Sequence, residues 1–138
     1  MNVFTDGSFQ NGKAVWGFVV FNDQNQKIHA AKGVIDNPKH NEGRQIAGEC
    51  QAVLQALNWA KLNNQEITIY YDYVGLKNWV ADFWGEKPWK TNKEYPVSYR
   101  QNFFLLTDHL IDMVWVKGHA GNAGNEAVDN FIKNSVEK

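Results

Sequence analysis

A single helical stripe between two β-type runs most constrains what this 138-residue chain can fold into. Ile46, Cys50, Val53, Leu54, Leu57 and Ala60 or Lys61 recur at three- and four-residue spacing. That spacing sets them on one face of an amphipathic helix, which Asn63-Asn64 ends. After it, Glu66-Ile67-Thr68-Ile69-Tyr70-Tyr71-Asp72 reads as a strand with an acid at its carboxyl end. Before it, residues 1–8 read as a short strand running into Asp6-Gly7-Ser8, and residues 14–22 as a buried strand rich in β-branched and aromatic types. A polar turn, Asn22 to Asn25, leads to a third strand near 27–33 and completes an antiparallel meander. Because a helix separates the meander from the strand ending at Asp72, a parallel crossover beside strand one is the natural topology.

Further along, residues 74–84 read as a short helix, followed by an aromatic and basic segment from Trp84 to Tyr99. A helix near 99–111, a strand Met113-Val114-Trp115-Val116-Lys117, and a last helix from about Ala123 complete the chain. The last helix turns Val128, Phe131, Ile132 and Val136 inward. This order, βββαβααβα, predicts an α/β domain over 1–138 with a mixed sheet flanked by helices.

Composition narrows the function classes. No stretch approaches the ~20 apolar residues of a membrane span, so no membrane partner is expected. The start, Met1 to Asp6, shows no secretory leader. Cys50 is the only cysteine, which rules out an internal disulfide and fits a cytoplasmic, reducing setting. Nothing demands a dimer, so a monomer is expected. The six tryptophans read mostly as core. The net charge of −1 argues at first sight against a nucleic-acid partner. If Asp6, Glu49, Asp72 and Asp129 form one metal cluster, however, the rest of the chain is mildly basic.

Taken one at a time, these acids have ordinary readings. Asp6 before Gly7 suits a turn, or a place where something approaches the chain closely. Glu49, about one turn into its helix, suits the helix dipole, although the buried stripe places it near the helix–sheet boundary. Asp6 and Asp72 at the ends of neighbouring parallel strands would lie ~4.8 Å apart, and two carboxylates that close repel unless a cation sits between them. Asn125 and Asp129 share a helix face. His119 lies in a glycine-flanked loop between a strand end and that helix. Several hard oxygen ligands suit Mg²⁺ or Mn²⁺ rather than zinc, and two such ions ~4 Å apart can cleave a phosphodiester. No Ser-His-Asp or Cys-His set, Walker loop or GxGxxG competes.

Thr5-Asp6-Gly7-Ser8, Ala47-Gly48-Glu49, Tyr71-Asp72 and the run from Trp115-Val116-Lys117-Gly118-His119-Ala120-Gly121 to Asp129 resemble, in order and spacing, the type 1 ribonuclease H pattern. The resemblance covers essentially the whole chain. It implies a five-stranded mixed sheet with a four-carboxylate, two-metal site, and an endonuclease cutting the RNA strand of RNA–DNA hybrids to 5′-phosphate and 3′-hydroxyl ends. Carried over, Asp6 and Asp72 would bind both Mg²⁺ ions, with Mn²⁺ able to substitute. Glu49 would hold one metal and read the RNA 2′-hydroxyl, and Asp129 would complete the second metal's shell. His119 would assist proton movement or product release, and Asn125 would support the scissile region. Gly7 and Ser8 would adjoin the substrate.

Two stretches depart from the pattern or dilute it. Where many relatives carry an Asn-Asn/Gln-Arg-type stretch before the glutamate, this chain has Arg44-Gln45-Ile46-Ala47-Gly48. Gln45 would replace one amide contact there, and Arg44 would take a phosphate. Trp84 to Arg100 resembles the family's basic protrusion, with Lys87, Lys90 and Lys93 as a handle for the DNA strand and Trp84 or Trp89 against sugar or backbone. The bland alternative for that stretch is a solvated helical hairpin packed on its tryptophans. Related sequences often carry a separate hybrid-binding module, and none is expected before Met1. A non-catalytic hybrid binder, or a DNA nuclease on the same superfold, stands as the alternative function.

Overall fold

The computed structural model describes residues 1–35, 44–117 and 122–136. Strands β1 (Asn2–Gln10), β2 (Lys13–Phe21) and β3 (Lys27–Ile35) open the chain. Helix α1 (Arg44–Asn63) leads to β4 (Ile67–Tyr71), then α2 (Gly75–Asn78) and a 3-10 turn at Ala81–Trp84. Helix α3 (Glu94–Phe103), β5 (Leu110–Trp115) and α4 (Ala123–Ile132) follow. The strands form one five-stranded sheet in the order β3-β2-β1-β4-β5. The meander is antiparallel, and β4 pairs parallel with both β1 and β5. This is the mixed sheet anticipated, with the crossover strand beside β1.

The two central meander strands are covered on both faces, α1 packing on one and α4 on the other. That is why β2 reads as a near-continuous apolar run rather than an alternation. Two glycines let α4 come close. A side chain at Gly17 would strike Ile132, and one at Gly124 would strike the Phe4 ring. Beneath α1 the core is built from residues such as Val3, Phe18, Val53, Leu57, Ile69, Tyr99, Phe103 and Met113. Trp16, Trp59, Trp79 and Trp84 pack in or against this core, while Trp89 and Trp115 are exposed. No helix among the described residues is long and apolar enough to cross a membrane.

Two local expectations need correction. Strand β1 runs past residue 8 to Gln10, because Asn11 and Gly12 both take positive φ (47° and 81°). Two consecutive left-handed residues make the tight hairpin that lets both strands pair to their ends. The helix placed near 99–111 instead spans Glu94–Phe103. Pro96 falls in its first turn, where a missing N–H costs nothing. Beyond Phe103 the backbone turns, with Leu105 and Leu106 donating to Asn102 and Phe103, so that β5 can start at Leu110.

Candidate metal centre

The parallel pairing of β1 with β4 ends at Phe4 opposite Tyr70. Two residues beyond this last pair come Asp6 on β1 and Asp72 just after β4. Asp6 therefore sits in the middle of β1, still paired with Gly17 of β2, rather than at a strand end. The slot that opens where β1 and β4 part lies at the carboxyl ends of parallel strands, the usual ligand position in open α/β sheets. Beyond the slot, β5 stays joined to the end of β4. The Val116 N–H donates to the Tyr71 carbonyl at 2.8 Å, and the Trp115 indole N–H donates to the Asp72 carbonyl at 2.8 Å.

Helix α1 supplies the third acid. A side chain at Gly7 would collide with the backbone of Gly48 and Glu49, and one at Gly48 with the Val15 carbonyl. Gly7 thus serves a close approach, not a turn. With no Cβ on either side, helix backbone lies directly on strand backbone, and Glu49 is 1% exposed. Neither carboxylate oxygen of Glu49 has a hydrogen bond of good geometry among the described residues.

Ligand oxygens of Asp6, Glu49 and Asp72 all lie within 4.8 Å of one another. Burial, then the negative charge of Asp72, push the Asp6 carboxyl up from 3.8 to about 7, against the pull of the Gly7 N–H, which donates to it at 2.9 Å. Burial and the charges of Asp72 and Asp6 hold Glu49 well above the carboxylate range. Without a cation, the cluster therefore retains protons near neutrality. Three converging carboxylates, one of them buried with unmet acceptors, fit a hard divalent cation. Among the described residues no histidine or cysteine joins them.

Helix α4 closes the cleft. Asp6, Gly7, Ser8, Phe9, Gln45, Asp72, Asn125 and Asp129 line a space of about 250 Å³. Asp129 is near enough to raise the Asp6 pKa. The Asn125 N–H is capped by the Asn122 side chain at 3.0 Å, which orders the first turn of α4. Arg44, Gln45, Gly7, Ser8, Asn125 and the four acids are thus gathered at one place, with Arg44 at the rim over Phe9. His119 lies outside the described residues.

The basic segment is a separate feature. Residues 85–93 are irregular chain rather than a helical hairpin. Trp84 is engaged in packing against Phe83 and Phe103, with the Lys77 ammonium 4.7 Å from its ring centroid. Trp89 is half-exposed and, with Lys90, lines an apolar groove against α3. Lys87, Lys90 and Lys93 are exposed. Arg100 is a structural cation, paired with both oxygens of Asp82 and donating to the Trp79 carbonyl. The sequence names no role for Phe9, and Trp115 enters there only as the first residue of the motif run and a strand residue. Phe9 carried one usable signal, an aromatic two residues after Gly7 on a strand that already held an acid.

A sheet that parts over three carboxylates, with a helix bearing a fourth, defines a metal-dependent nuclease. The RNase H family pattern matches residues 1–137, and the chain belongs to that family. It is 31% identical to the ribonuclease H of Paracidovorax citrulli, over 99% of this chain and 93% of that one. It is 30% identical to the ribonuclease H of Hyphomonas neptunium, over 100% and 93%. Its fold matches that of an RNase H1 isolated from compost, solved in complex with an RNA/DNA hybrid, at a TM-score of 0.69 and 16% identity over 99% of each chain.

Proposed function

We propose that this chain is an endonuclease that hydrolyses the RNA strand of RNA–DNA hybrids, using two Mg²⁺ ions that Mn²⁺ can replace. The observation that carries this reading is the convergence of Asp6, Glu49 and Asp72 in the slot between β1 and β4. By the family resemblance Asp6 and Asp72 would serve both ions, with Glu49 and Asp129 each completing one of them. When bound, the ions supply the positive charge that activates water and stabilises the leaving oxygen. The water oxygen adds to phosphorus and the P–O3′ bond breaks, leaving a 3′-hydroxyl upstream and a 5′-phosphate downstream. The family resemblance also gives Glu49 the RNA 2′-hydroxyl, the group that distinguishes RNA from DNA, a contact for which its buried carboxylate would have to be uncovered. Asn125, Ser8 and the Gly7 backbone orient the scissile phosphate, Gln45 takes a base-edge contact and His119 moves a proton at the leaving group. Lys87, Lys90 and Lys93, with Trp89 and the edge of Trp84, grip the DNA strand. The chain acts as one catalytic domain and as a monomer, in a cytoplasmic setting that its single cysteine suits.

The test is cleavage of an end-labelled RNA–DNA hybrid in Mg²⁺, beside Mn²⁺, EDTA, single-stranded RNA, duplex RNA and duplex DNA. Metal-dependent cutting of the hybrid's RNA strand alone is expected. Binding without cutting in either metal would make the chain a hybrid binder, and cutting of duplex DNA would make it a different nuclease.

A further inference from the structure

The acidic cleft has one corner that is aromatic and cationic instead. Phe9 follows Asp6-Gly7-Ser8 on β1, lines the cleft beside Gln45, and keeps 40% of its surface exposed. The guanidinium carbon of Arg44, first residue of α1, stands 5.5 Å from the Phe9 ring centroid. Two-fifths of this aromatic residue is left open beside the carboxylates. What it does is hold a planar cation at the rim, at a distance where ring and guanidinium attract.

The strand being cut must pass the carboxylates, and Phe9 lines the same cleft with Arg44 over its ring. Such a strand offers a phosphate that needs a cation and a ribose or base face that packs on an aromatic ring. The carboxylates at the centre repel phosphate except through a metal. An arginine pre-set at the edge gives the neighbouring phosphate a seat of its own, with less side-chain freedom to lose on binding.

We propose that Phe9 and Arg44 form a composite subsite for one nucleotide of the RNA strand next to the scissile bond, Arg44 taking its phosphate and Phe9 its ribose. The proposal rests on the hybrid-cleaving function put forward above and adds Phe9 as a determinant of substrate grip.

The experiment is a double-mutant cycle on hybrid affinity, run in an Asp72→Asn background so that the hybrid survives in Mg²⁺. Phe9→Ala and Arg44→Ala are each expected to weaken binding about threefold to tenfold, with the double variant weaker than either but by less than the product of the two effects. Phe9→Leu, which keeps apolar bulk without the ring's charge distribution, should behave like Phe9→Ala. A hybrid with one uncharged phosphonate linkage in the RNA strand beside the cut should bind the parent and Arg44→Ala alike. Independent, multiplying effects of the two alanines would overturn the composite site. So would parental binding by Phe9→Leu, or an uncharged linkage that acts only from the DNA strand. Thermal melting of each variant separates lost grip from lost fold. A wild type that binds the hybrid without cutting it would overturn the proposed cleavage alone, since the cycle reads binding, and a wild type that does not bind the hybrid would overturn the subsite as well.

Discussion

Gly7 of β1 and Glu49 of α1 touch backbone to backbone, so closely that a methyl group on Gly7 would run into the Glu49 nitrogen. This contact sets how far the glutamate reaches into the slot between the parallel strands. Gly7→Ala therefore has to push the helix off the strand, because neither backbone can yield alone. A loss of about 1–3 kcal/mol is expected in urea denaturation, as for other overpacked sites, together with a weaker stabilisation by Mg²⁺. At Gly12 a Cβ meets nothing within 4 Å, and only its φ of 81° resists a side chain. Gly12→Ala should cost about 1 kcal/mol and leave the Mg²⁺ effect intact. Equal Mg²⁺ responses in the two variants would refute the role given to the contact.

Asp6 links stability to pH. Its folded-state pKa, about 7, lies above the ordinary 3.8. Its contribution to stability is therefore fully present below about pH 4 and is lost as pH rises through 7. Metal-free Asp6→Asn should thus be more stable than wild type by roughly 1–3 kcal/mol at pH 8, with the difference shrinking towards pH 4. The same variant should not cut RNA. Melting curves in EDTA from pH 4 to 8 check the linkage, and a wild type that gained on the variant as pH rose would contradict it.

Trp115 holds Asp72 from behind, through its bond to the carbonyl of that residue. Trp115→Phe keeps an aromatic ring but removes the donor, at a stability cost of about 0.5–1.5 kcal/mol for the lost bond. A positioning role predicts a further effect, Mg²⁺ affinity lower by about threefold to tenfold, since groups behind a ligand tune how well it binds. Calorimetric titration of Mg²⁺ measures this. Unchanged affinity would limit Trp115 to tying β5 to β4.

The three exposed lysines of the irregular segment are separate from the cleft. Reversing Lys87, Lys90 and Lys93 to glutamate should weaken hybrid binding by about tenfold or more at low salt, and flatten its salt dependence. Cleavage of bound hybrid in a single turnover should be unaffected. Unaltered affinity at low salt would remove the segment from the interface. Arg100→Gln should instead lower stability, because that cation serves Asp82 and the Trp79 carbonyl.

Asp72→Asn should abolish cleavage with the fold intact, and His119→Ala should slow turnover without eliminating it. If the two variants proved equally inactive in single-turnover assays, an assisting role for the histidine would be wrong.

Much of this was legible in the residues because it is local. The stripe from Ile46 to Ala60 names the buried face of α1, a helix between the meander and Ile67–Tyr71 makes β4 parallel to β1, and the motif words around Asp6, Glu49, Asp72 and Asp129 name the acids. Periodicity is weakest where signals are short: the two-residue turn Asn11-Gly12 has no period, and α3 begins about five residues before the 99 expected, with Pro96 in its first turn.

By itself, then, the sequence determined which residues could act and on which elements they ride, since side-chain pattern and connectivity are written along the chain. Only the tertiary structure decided that Asp6 lies mid-strand beside a parting of β1 from β4, that Glu49 is buried with its acceptors unmet, and that Phe9 stands under Arg44 at the rim. Those facts depend on how closely a helix approaches a strand and where two strands diverge. Both are set by packing between residues far apart in the chain, and proton affinity follows from the burial that such packing creates.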